Sequence, residues 1–325
     1  MNAIKKVIGC TVTITIIICL IYKLGILVRP ANTDIAFNAI DAFHDMPENS
    51  LEVIGYGSSK MWRGMDPMEM YAQYGIGAYN YGCNWQHINT TELFIKDSLL
   101  TQSPKVILIE TYLINDVLKN IDMNGEIYYT RALPESEGKR QYLKQCFGDD
   151  KERYLSYYVP LCAFHDNWTN LSESNFLKNA DDTDFYSTMG FVYKEDVVSI
   201  TIPDPLTFEQ ADLSEDAIEI LDEIVSICKE NSIDIIFYTA PYQGTYAYSD
   251  AMKKYAAENG CAYFNLFECI EEIGIDGETD FSDAGHLNNS GAVKVADFLS
   301  EYIVNNYDVT DMRTIEGNIW EQNLH

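Results

Sequence analysis

Metal-ligand spacing is missing from this chain, basic residues are scarce, and histidine occurs only five times in 325 residues. Each shortage closes off a class of function. The eight cysteines form no CxxC pair or other metal-ligand pattern, so neither a metal site nor a cofactor is expected. Beyond residue 30, 18 basic side chains stand against 50 acidic ones. Such a surface repels nucleic acid, whose binding relies on Lys and Arg releasing counterions from phosphates. The formal net charge of −28 still does not imply disorder, because 47% apolar and 13% aromatic content belong to a globular protein. No internal repeat or low-complexity tract is present.

The longest apolar run is Val7 to Val28, interrupted only by Lys23, with Lys5 and Lys6 ahead of it. A bilayer core needs roughly 20 apolar helical residues, and this run is long enough if Lys23 snorkels to the interface. A cleaved signal peptide is the competing reading, but no small-x-small cleavage site follows the run. An uncleaved anchor is therefore expected, with the basic tip inside and the rest of the chain extracytoplasmic at the cell membrane. Two cysteines, Cys10 and Cys19, fall in this run. The other six (Cys83, Cys146, Cys162, Cys228, Cys261, Cys269) are compatible with disulfides or with isolated buried thiols.

Beyond the anchor, short apolar strands alternate with helical patterns. Strands are expected at Leu51–Gly55, Gly77–Tyr81, Lys105–Tyr112, Ile233–Ala240 and Ala262–Leu266. Helices are expected at Asp66–Tyr74, opened by an acidic residue and Pro67, at Thr91–Leu100, at Ser214–Asn231, around Tyr255–Glu258, and at Ala292–Ile303, capped by Asn289 or Ser290. Five strands joined by crossover helices predict a parallel, doubly wound α/β sheet. The expected organisation is a tip and anchor over 1–30, an α/β domain over 50–116 and 214–305, an inserted subdomain over 117–213, and a tail over 306–325.

Ligands bind such sheets outside the carboxyl ends of the strands, and the first strand ends in Gly57-Ser58-Ser59-Lys60. A serine hydroxyl is a weak nucleophile without a base, so a histidine and a group to orient it are required. His325 is terminal, His44 follows the anchor, and His87 and His165 lie in polar or inserted segments. His286 differs, because it lies just before the last helix with Asp283 three residues upstream, close enough for its carboxylate to reach Nδ1 while Nε2 faces a serine.

The residues Gly57-Ser58-Ser59 followed by Arg63-Gly64-Met65-Asp66-Pro67, then Tyr79-Asn80-Tyr81-Gly82 with Gln86, then Asp283-x-x-His286-Leu287-Asn288 with Gly291-Ala292, resemble the SGNH (GDSL-like) hydrolase superfamily. The nearer likeness is to its membrane-anchored branch in polysaccharide and teichoic-acid O-acylation, including the alginate acetylation and lipoteichoic acid D-alanylation proteins. The resemblance implies a flavodoxin-like α/β/α sandwich with a five-stranded parallel sheet. It also implies a serine esterase or O-acyltransferase with Ser59 as nucleophile, His286 as base and Asp283 as its orienter. Gly82 takes the place of the glycine whose N–H helps form the oxyanion hole.

The chain departs from the family pattern after the third strand, where Glu110-Thr111-Tyr112 stands in place of the usual Asn. Asn84, Tyr112 or backbone groups are the candidate replacements for that donor. Lys60 and Arg63 are read either as binders of an anionic substrate or as surface charge. Tyr128, Tyr129, Tyr154, Tyr157 and Tyr158 of the insertion are read as sugar-stacking rings or, for most of them, as packing. Pro241-Tyr242-Gln243 follows the fourth strand at the same sheet edge. The implied partners are a cell-envelope glycan or acyl ester and a membrane-bound O-acyltransferase. A non-catalytic glycan-binding or scaffolding protein is the alternative.

Overall fold

The computed structural model describes residues 2–29, 34–118, 127, 129–176, 184–202, 209–241 and 246–324. Tyr128, Tyr242 and Gln243 lie outside the described residues. Helix α1 (Asn2–Val28) is the one described helix long and apolar enough to cross a membrane, its stretch Ile4–Val28 having a mean hydropathy of 2.3. Its last carbonyls, which no helical N–H can reach, are taken up by the insertion. Asn167 Nδ2 donates to Val28 O, and Asn175 Nδ2 donates to Leu27 O and Arg29 O. Helix α2 (Asp34–His44), which the sequence reading missed, leads into the sheet.

The sheet comprises β1 (Val53–Tyr56), β2 (Ala78–Asn80), β3 (Val106–Glu110), β4 (Asp234–Thr239) and β5 (Ala262–Asn265), all parallel, in the order β2-β1-β3-β4-β5. The five expected strands are all present, each one to three residues shorter than expected. The order in which the strands are added reverses between β1 and β3, so the switch point lies at their carboxyl ends.

Successive side chains of a strand point to opposite faces. Ile54, Tyr56, Ile107, Ile109, Ile235 and Phe237 therefore pack with α2, with α5 (Ile88–Ser98) and with a later helix, Glu215–Glu230. The alternate set Val53, Val106, Leu108, Ile236 and Tyr238 packs with Met70 of α4 (Pro67–Tyr74) and with Val295, Ala296, Leu299 and Ile303 of the last long helix, Asn289–Asn306. Helices thus cover both faces of the sheet. Asp66 caps α4 as expected, accepting from Met68 N at 2.9 Å. The last long helix is capped by Asn288, not by Asn289 or Ser290 as expected, because only Asn288 keeps the extended backbone that lets its side chain accept from Gly291 N.

Within 117–213 the described helices Glu137–Phe147 and Lys151–Tyr158 place Tyr142, Leu143, Phe147 and Tyr157 in the same core as the first sheet face, while Phe164 of Pro160–Phe164 packs with Val28 of α1. Tyr129 and Tyr157 are buried there, Tyr154 packs against that core and Tyr158 is exposed. After the sheet, Trp320 closes the β2 side, its Nε1 donating to Ala78 O at 3.1 Å.

Candidate active site

The chain leaves β1 through Gly57, whose φ of +150° suits glycine, and an added Cβ there would sit 2.7 Å from Glu110 Cβ. This close approach brings the carboxyl end of β3 against the turn after β1. Ser58 then caps a single helical turn, α3 (Ser59–Trp62), accepting from Lys60 N at 3.2 Å and donating to Glu110 Oε2 at 2.9 Å. From the end of β2, buried Asn80 holds the far end of that turn, donating from Nδ2 to Met61 O and Met65 O at 2.8 Å each. Ser59 is thereby fixed at the start of α3, at the sheet's switch point.

Asp283 and His286 lie just before the last long helix, as expected. They end the strands of a small antiparallel hairpin, Phe281–Asp283 with His286–Leu287, turned by Ala284 and Gly285. Gly285 N donates to Asp283 Oδ1 at 2.7 Å and fixes the carboxylate. His286 Nδ1 lies 2.8 Å from Asp283 Oδ1 and 3.0 Å from Oδ2, and His286 Nε2 lies 2.8 Å from Ser59 Oγ. With Nδ1 donating to the carboxylate, Nε2 is left to accept the serine proton.

The electrostatics agree with that tautomer. Desolvation, joined by the charge of Lys60, holds the His286 pKa below the ordinary histidine value despite the pull of Asp283. Burial works against the Asp283 carboxylate, but the Gly285 N–H, His286 and Arg63 outweigh it and keep its pKa low. Arg63 Nη1 stands 3.4 Å from Asp283 Oδ2. A neutral imidazole and an ionised carboxylate are therefore in place near neutral pH.

Glu110 and Lys60 are two further titratable groups beside the site, both almost fully buried. Burial raises the Glu110 pKa against hydrogen bonds from Ser58 and Tyr112 and the charge of Lys60. Burial likewise lowers the Lys60 pKa, with Glu110 and Asp283 opposing it. Glu110 Oε1 accepts from Tyr112 N at 2.7 Å. Lys60 Nζ lies 3.5 Å from His286 Nε2 and 4.8 Å from the centre of the Tyr112 ring.

Ser59, Lys60, Asn84, Tyr112, Asp283 and His286 all line one cleft, joined by Ser58, Arg63, Trp85 and Gly285. Gly82 is the exception among the expected site residues. It is buried, it does not line the cleft, and its N–H donates to Asn80 Oδ1 at 3.2 Å. Sequence reasoning overlooked Glu110 as a site residue, although a carboxylate ending the buried run Val106-Ile107-Leu108-Ile109 was the signal for it. Of the other histidines, His44 pairs with Asp97 at 3.1 Å, and His165 Nδ1 meets Cys162 O within the insertion. Among the described residues no group of His, Cys, Asp or Glu is arranged to hold a metal ion.

No family model matches the chain, and no curated protein matches it. A serine, an imidazole and a carboxylate are aligned so that the imidazole can accept the serine proton.

Proposed function

We propose that this protein performs serine-dependent O-acyl transfer or O-deacylation on a cell-envelope polysaccharide or glycopolymer through an acyl-enzyme. The observation that carries the reading is the line from Asp283 through His286 to Ser59, with hydrogen-bond distances of 2.8 Å on both sides of the ring. The sheet order and the position of Ser59 after β1 support a flavodoxin-like sandwich of SGNH type. The apolar helix α1 behind Lys5 and Lys6 supports a single-pass anchor with the cleft outside the cell.

In this reading Ser59 Oγ attacks the acyl carbonyl while its proton passes to His286 Nε2, and Asp283 stabilises the imidazolium. The imidazolium returns that proton to the departing alkoxide, leaving an ester on Ser59. A sugar hydroxyl or water then gives its proton to His286 and takes the acyl group, restoring Ser59. Lys60 and Asn84 are the side-chain donors at the cleft that serve the developing oxyanion where the family pattern has an Asn.

A second reading, a glycan-binding or scaffolding partner of a membrane-bound O-acyltransferase, is favoured by one observation: the Gly82 N–H is engaged by Asn80 rather than turned to the cleft. Turnover of p-nitrophenyl acetate by the full chain separates the two. Ser59→Ala and His286→Ala each reduce kcat by about 10⁴–10⁶ to the same residual level, and the double variant is no slower. Asp283→Asn costs about 10³–10⁴. Losses that multiply in the double variant, or a wild type no faster than Ser59→Ala, favour the scaffold.

A further inference from the structure

The cleft around Ser59 measures about 380 Å³, and its lining is polar or charged except for Gly285 and two aromatic rings, Trp85 and Tyr112. The ring centres lie 6.3 Å apart with planes inclined at 42°. Trp85 has 51% of its surface exposed and a φ of +53°. A bulky side chain in the left-handed region is uncommon and strained, and an indole facing water gains little from burial. Both local penalties thus fall on one residue at the rim of the candidate active site.

The strain is not slack in the loop. Cys83 and Gln86 on either side are buried, Cys83 N donates to Gly57 O at 3.0 Å, and Gln86 Nε2 donates to Thr91 Oγ1 at 3.3 Å. Tyr112 is equally fixed, through its N–H on Glu110 Oε1. The tryptophan is therefore held out from a rigid backbone. We propose that Trp85, with Tyr112 beside it, is the stacking platform of a sugar-binding subsite adjoining Ser59. A pyranose offers weakly positive C–H groups to the negative face of an aromatic ring, and its hydroxyls suit the polar lining of the rest of the cleft. A long acyl chain would instead lie against buried charge, which is costly to leave without water or a partner. The inference deepens the acyl-ester reading and rests on it for the ester half of the ligand.

The test is saturation-transfer NMR on the full chain in nanodiscs, with a panel of neutral, amino-sugar and uronate oligosaccharides of four to six units as probes. At least one probe receives saturation at its ring C–H protons, and Trp85→Gly weakens that binding about tenfold. The same variant melts no lower than wild type, because glycine relieves the left-handed strain and removes an exposed indole. The proposal is overturned if no probe binds, if Trp85→Gly binds as wild type does, or if that variant loses binding and also melts lower, the mark of a structural role. Fluorophosphonate labelling of Ser59 on the same wild-type sample keeps the two ideas apart. Labelling without sugar binding sinks the platform alone, and sugar binding without labelling sinks the acyl chemistry alone.

Discussion

Ser58 and Ser59 are neighbours in sequence and both line the cleft, but their hydroxyls are committed to different partners. Ser58 is 1% exposed, and its hydroxyl is committed twice, donating to Glu110 and accepting from Lys60 N. Ser59 is half-buried in the cleft, and its hydroxyl meets the one imidazole that a carboxylate has oriented. The same functional group is framework in one place and nucleophile in the other. What separates them is access: the Ser58 hydroxyl is buried between Glu110 and the Lys60 N–H, whereas the Ser59 hydroxyl faces the cleft with a neutral imidazole beside it to take its proton.

Lys60 links the two serines' surroundings, since its charge acts on Glu110 and, from 3.5 Å, on His286. Lys60→Met sharpens this comparison most. It removes a donor at the cleft, so kcat/KM falls about 10². It also removes a positive charge that depresses the His286 pKa, so that pKa rises. The rate depends on neutral imidazole and is lost as pH falls through this pKa, so the acidic limb moves to higher pH in the variant. In the wild type that limb lies below the ordinary histidine value. A limb that stays in place while the rate falls would show that Lys60 acts on substrate and not on His286.

Ser58→Ala gives a smaller effect of a different kind. It strips a helix cap and leaves Glu110 Oε2 without its hydroxyl donor, which costs about 1–3 kcal/mol of stability measured by denaturant unfolding. Activity stays within about tenfold of wild type, since the proton path through Ser59 and His286 is intact. A loss as deep as that of Ser59→Ala would erase the distinction between the two serines.

Much of the His286 side was legible in sequence, because Asp283 and His286 are three residues apart and their pairing is local. The meeting of His286 with Ser59 spans 227 residues and was legible only through the order of strands and helices, which puts both at the same sheet edge. The strands themselves were readable because each is an apolar run buried on both faces, as Val106 to Ile109 is. Less was readable on the Glu110 side. Asn80 pins α3 through two backbone carbonyls, and in doing so its own carbonyl oxygen takes the Gly82 N–H. Such side-chain-to-backbone contacts leave no periodicity. Helix α2 escaped notice because its apolar face is met by residues far away in the chain, and the exposure of Trp85 depends on a backbone angle that composition does not reveal.

His286 activates Ser59 and not Ser58. This is tested most directly by treating the full chain in nanodiscs with a fluorophosphonate probe and locating the adduct by peptide mass spectrometry. One adduct is expected, on Ser59 in wild type and in Ser58→Ala, and none in Ser59→Ala or His286→Ala. An adduct on Ser58, equal labelling without His286, or no labelling of the folded wild type would contradict this activation.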